Sequence, residues 1–184
     1  MMERLIGPEQ TQEIYHYLSK EQNWFWWVEG AKPTYEQFED WLRGCASDPI
    51  GLFIHRVRRA DSYVFLGFSR MSRTSLLHGI SYLTVWVAPC WRQQSGLISY
   101  GSVATAEILE FAFQNYPLRK VYHHIVVDNK ESIRPASKIF QLEGCLKEHY
   151  FFQGIYRDVA VMSVTRVMWS AIFSRYRKRI ESSF

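Results

Sequence analysis

The sequence predicts a single α/β domain built on a mixed sheet, and three observations carry that prediction. Apolar residues recur at helical spacing in two early segments and again over about 96–115, strand-like runs fill the intervals, and glycine-bearing or polar turns punctuate them. A length of 184 residues with 47% hydrophobic residues suits one sizeable core and is short for two.

The elements follow in order. After a short opening strand, "PEQTQEIYHYLSK" places Ile14, Tyr17 and Leu18 on one helical face, with Pro8 at the entry. The aromatic run "NWFWWVEG" reads as core or helix packing ahead of a substrate-facing wall. Thr34 with Gln37 three residues later forms a capping-box pattern for a second helix, whose apolar side is Tyr35, Phe38, Trp41 and Leu42. "GLFIHRV", "SYVFLGFSRM" and "HGISYLTVWV" read as an antiparallel meander. A long helix is expected from about Gly96 to Asn115, with Ala104, Ile108, Phe111 and Ala112 at helical spacing and Pro117 as its stop. "RKVYHHIVV" is a strand, "KESIRPASKIF" a short helix, and "CLKEHYFF" and "YRDVAVMSVT" are the last two strands. The expected order is βααβββαβαββ. A tail over 166–184 carries an apolar stripe of Val167, Met168, Ala171, Ile172, Tyr176 and Ile180 beside the basic Arg175, Arg177, Lys178 and Arg179. It reads as a docked helix with a solvated basic end, with RNA binding as the second reading and a membrane surface behind it.

A formal charge of +4 favours phosphate-bearing partners only weakly. Three dispersed cysteines form neither a disulfide framework nor a zinc motif, and Cys145 reads as a small buried thiol. His123 and His124 alternate across a strand, so no shared metal is expected. The opening residues lack a signal-peptide pattern and no apolar run matches a membrane span, so a cytoplasmic protein is expected.

The segment "CWRQQSGLISYGSVATAEILEFAF" runs a polar, glycine-containing stretch into a helix, which is how a chain presents a helix N-terminus to an anion. With "VVDNKES" and "LEGCLKEHYFFQGIYRDVAVMSV" following in order, the chain resembles the GNAT superfamily of acyl-CoA-dependent N-acyltransferases over residues 5–165, in particular its ribosomal-protein N-terminal acetyltransferase branch. The phosphate-loop pattern Q/R-x-x-G-x-G/A is met by Gln93, Gln94, Ser95, Gly96, Leu97 and Ile98, with Ile in the last place.

That resemblance implies a mostly antiparallel mixed sheet, helices on both faces, and a central pair of strands that splay to admit the pantetheine arm. It implies that residues 93–98 cradle the coenzyme pyrophosphate and that backbone N–H groups near Trp86 and Val87 stabilise the oxyanion. Asn129 matches the pantetheine-contacting asparagine and Ser132 the position that protonates the departing thiolate, against a plain reading of Ser132 as a helix cap. Tyr150 stands where the branch places its acidic residue, with Glu148 on the same face if the segment is a regular strand; the amine's base is sought there. Tyr156 and Asp158 match a "Y-x-D" element, and a structural hydrogen bond is expected of Asp158.

The chain departs from the family at several places. "SYLTVW" has Tyr82 and no acid, the approach to the loop, "CWRQQSG", is one residue longer than usual, and no glycine precedes Phe140. The implied co-substrate is acetyl-CoA or another acyl-CoA and the acceptor a primary amine, on a small molecule or a protein N-terminus. Two other readings are an aminoacyltransferase using charged tRNA and a non-catalytic acyl-CoA-binding module.

Overall fold

The computed structural model describes residues 2–4, 8–20, 33–92, 99–152 and 154–183. The elements are β1 (Met2–Arg4), α1 (Pro8–Leu18), α2 (Tyr35–Ala46), β2 (Leu52–Arg59), β3 (Ser62–Ser75), β4 (Ile80–Val87), α3 (Pro89–Arg92) and α4 (Tyr100–Asn115). They continue with β5 (Lys120–Val126), α5 (Lys130–Ala136), β6 (Gln141–Phe152), β7 (Ile155–Thr165), α6 (Arg166–Ile172) and α7 (Ser174–Ser183). The expected order holds, with the short α3 added and the tail divided in two. Both the 93–98 loop and the aromatic run at 23–30 lie outside the described residues.

The seven strands are ordered β1-β2-β3-β4-β5-β7-β6, and only the β4–β5 pair is parallel. Strand alternation divides the core in two. Leu52, Ile54, Leu66 and Phe68 face α1 and α2, where they meet Ile14, Leu18, Phe38 and Leu42. Phe53, Met71, Leu83 and Val121 face the other way, against Ile108, Leu109 and Ala112 of α4. The predicted capping box of α2 is present: Thr34 Oγ1 accepts from the Gln37 N–H, and the Gln37 side chain accepts from the Thr34 N–H.

Three expectations are corrected. Helix α4 begins at Tyr100, not near Gly96, because Ser99 caps it by accepting from the Ser102 N–H. In the tail Val167 is 80% exposed and the buried anchor is Trp169, which shares the α4-side core with Tyr176 and donates from Nε1 to Glu110. Arg166 fixes the tail by donating to the carbonyls of Phe113, Tyr116 and Leu118, placing a cation at the C-terminal end of α4. Finally, Cys145 is exposed on the edge strand β6. The buried thiol is Cys45, which burial pushes up to about 11.

Candidate active site

Strands β4 and β5 separate partway along their length. They pair at Ile80–Lys120, Ser81–Val121 and Tyr82–Tyr122, and the ladder stops there although the strands continue to Val87 and Val126. Each remains paired to its outer neighbour, β4 to β3 as far as Val87 and β5 to β7 as far as Val126. The sheet therefore opens between them. A bulge between β2 and β3 at His55/Arg56 bends the β3 side of the opening.

His123 stands where the ladder ends. Its Nδ1–H donates to the Leu83 carbonyl across the gap at 2.8 Å, and its ring lies 5.4 Å from that of Phe140. Burial pushes its pKa down to about 4, against the raising effect of the Leu83 bond, and nearby His124 lowers it further. At neutral pH the ring is neutral. The sequence reading weighed His123 only as a metal ligand; a polar side chain between apolar Val121 and Ile125 was the available signal.

Ladder parity identifies which backbone groups face the gap. The Ala88 N–H donates to the Leu66 carbonyl, so Trp86, two residues earlier and opposite Phe68, also turns its N–H toward β3. Leu83, Val85 and Val87 turn the other way. Of the two residues expected to offer N–H groups, Val87 turns its N–H to the gap, as Val85 does, whereas the Trp86 N–H belongs to the sheet. The Val87 carbonyl accepts from Arg92 Nε at 2.8 Å, and the Trp86 ring stacks on Phe68.

Because β4 and β5 run parallel, their C-terminal ends share one edge of the sheet. Helix α4 follows the first end and α5 the second, which is where open α/β sheets place their ligands. Asn129 is the N-cap of α5: its Oδ1 accepts from the Ser132 N–H at 3.2 Å. Ser132 is thus not the cap. Its partly exposed hydroxyl makes no hydrogen bond with the described residues.

The strand that carries Glu148 and Tyr150 is not regular between them. Lys147, Glu148 and His149 face only Asp158 across the β6–β7 ladder, and Glu148 has φ 48°. The bulge interrupts the alternation that would have put both side chains on one face. Asp158 has the structural role expected of it, accepting from Lys147 Nζ at 2.7 Å and from the Glu148 N–H at 3.0 Å. Lys147, and then the Glu148 N–H, hold its carboxyl below the usual range. On the α2 side of the gap Tyr82 stacks on Tyr122 and meets His124 edge-on. Among the described residues no cluster of His, Cys, Asp and Glu fits a metal, and no helix is long and apolar enough to cross a membrane.

Solved structures that the chain resembles include spermidine N-acetyltransferases of Vibrio cholerae. One, in complex with CoA and spermine, aligns with a TM-score of 0.77 at 20% identity over 92% of this chain and 97% of its own. A chimera of that protein aligns at 0.75 and 20% identity over 93% and 99%. The chain shares their fold. Identity this low extends to fold alone, and the likeness does not single out the ribosomal-protein branch. No protein-family model and no curated protein matches the chain.

Proposed function

We propose that the protein is an N-acyltransferase that moves an acetyl or other acyl group from acyl-CoA to a primary amine. The observation that carries this reading is the opening between β4 and β5, lined by the Val85 and Val87 N–H groups and flanked by the start of α4. A thioester seated there would meet N–H groups that no strand occupies, and the Asn129 side chain stands at the same edge. Acyl-CoA supplies the activated carbonyl. The amine nitrogen forms a bond to that carbon and gives up a proton to solvent, the carbon–sulfur bond breaks, and Ser132 is the group assigned to protonate the leaving sulfur, regaining its own proton from solvent. Residues 93–98 are the proposed pyrophosphate loop.

The Vibrio cholerae structure described in complex with CoA supports the same donor for this chain. Charged tRNA as donor finds less support, since Trp169 and Tyr176 account for the tail as core. Gly96→Val should weaken acyl-CoA binding about tenfold or more by calorimetry, the scale of losing a hydrogen bond to a charged group. Ser132→Ala should lower thiol release about a hundredfold with little change in coenzyme affinity. Unchanged affinity in the first variant removes the loop from the site, and unchanged turnover in the second removes the serine from the chemistry.

A further inference from the structure

The α2 side of the open strands is cationic. Strands β2 to β5 contain Arg56, Arg58, Arg59, Arg70, Arg73 and Lys120, and no Asp or Glu. Arg56 is engaged by Glu3 and Glu13, and Lys120 by Glu143. Arg70 and Arg73 have no carboxylate partner among the described residues. Arg70 is partly buried, its guanidinium carbon lies 5.2 Å from the centre of the Trp41 ring, and its enclosed Nε has no hydrogen-bond partner among the described residues. An enclosed donor without a partner is costly unless something else completes it.

Arg70 also stands beside the proposed chemistry. It pairs in register with Thr84, the residue before gap-lining Val85. Arg73 lies over the Tyr82 ring at 5.8 Å. The pKa of His124 is lowered first by burial, then by His149 and Arg73. Nearby carboxylates have partners: Asp48 accepts from the Ile50 N–H and from Thr74, and Glu143 binds Lys120 and Ser163.

We propose that the acceptor amine carries an anionic group, a carboxylate or a phosphate, which Arg70 and Arg73 hold against the Trp41 and Tyr82 rings. This rests on the acyl-transfer reading and narrows its acceptor. A polyamine such as the spermine in the Vibrio cholerae complex would bring like charge to these arginines. Arginine matches a carboxylate or phosphate with paired N–H donors and stacks on aromatic rings at the same time.

The test uses the full chain saturated with CoA for calorimetric titration, and with acetyl-CoA for thiol release. The amines are β-alanine, O-phosphoethanolamine and spermidine, each with wild type, Arg70→Gln and Arg70→Lys. Either anionic amine should bind at least about tenfold more tightly than spermidine, with Arg70→Gln losing about tenfold for the anion only and Arg70→Lys recovering part of it. Which anionic amine binds better distinguishes carboxylate from phosphate. Spermidine binding as tightly, no binding by either anionic amine, or equal losses for all three amines in Arg70→Gln overturns the proposal. Binding of the anion without thiol release would instead overturn acyl transfer and leave the anion site standing; turnover of spermidine in preference to both would do the reverse.

Discussion

The two faces of the central strands treat polar groups differently. On the α4 side, His55 is enclosed with Nδ1 2.8 Å from Glu107 Oε2 and Nε2 2.8 Å from the Ser69 hydroxyl, while Trp169 and Arg166 each find acceptors. On the α2 side Arg70 and Arg73 rest on the Trp41 and Tyr82 rings without a carboxylate among the described residues. Matched polar groups on one face hold α4 and the tail to the sheet; unmatched cations on the other are available to a ligand. Substitutions on the first face should therefore act on stability, and those on the second on binding.

The largest effect should come where both faces share one backbone. A Cβ added at Gly67 would lie 2.1 Å from the Trp86 carbonyl oxygen and 2.9 Å from Val87 Cα. Both are main-chain atoms, so no side chain can rotate away. Gly67→Val should cost about 3 kcal/mol or more, or prevent folding, with loss of ligand binding alongside. A urea-unfolding midpoint near that of wild type would show that β3 and β4 can separate there without penalty.

Smaller and more discriminating is a matched pair of substitutions. Glu107→Leu removes the acceptor from an enclosed histidine nitrogen and should destabilise by about 1–3 kcal/mol. Arg70→Gln removes an unmatched cation and should change stability by no more than about 0.5 kcal/mol. Urea unfolding of both variants measures the contrast directly. Equal destabilisation would mean that Arg70 is as much a part of the fold as Glu107, and the division between the faces would fail.

What the sequence made legible was local. The Thr34–Gln37 box, the Pro117 stop and the strand-like run "SYVFLGFSRM" are signals within a few residues, and each appears in the structure. Long-range registers were not legible. Whether Val85 or Trp86 offers its N–H to the gap depends on the parity of the β3–β4 ladder, which Ala88 and Leu66 fix from opposite strands. The bulge beside Glu148 gave no warning either, since a positive φ is usually announced by glycine and here falls on a glutamate. The splay was readable only through the family resemblance, because no residue type in "YLTVWV" marks where a parallel ladder must stop.

The last effect appears only in acid and belongs to His123, which lies on the matched face but at the mouth of the gap. Its folded pKa is about 4 against an ordinary 6.5, so the folded state prefers the neutral ring. The stability linked to it is fully present above pH 6.5 and is lost as pH falls from 6.5 toward 4, as the unfolded chain takes up the proton first. The full shift would correspond to roughly 3 kcal/mol, but the ring keeps some contact with solvent, which reduces the expectation to about 1–2 kcal/mol. His123→Gln retains an N–H donor for Leu83 and does not titrate. Urea unfolding at pH 7 and pH 4.5 should therefore show a smaller acid loss in the variant than in wild type, by that amount. Identical losses would mean that the ring charges without cost, and the Leu83–His123 bridge would then belong with the unmatched cations of the other face.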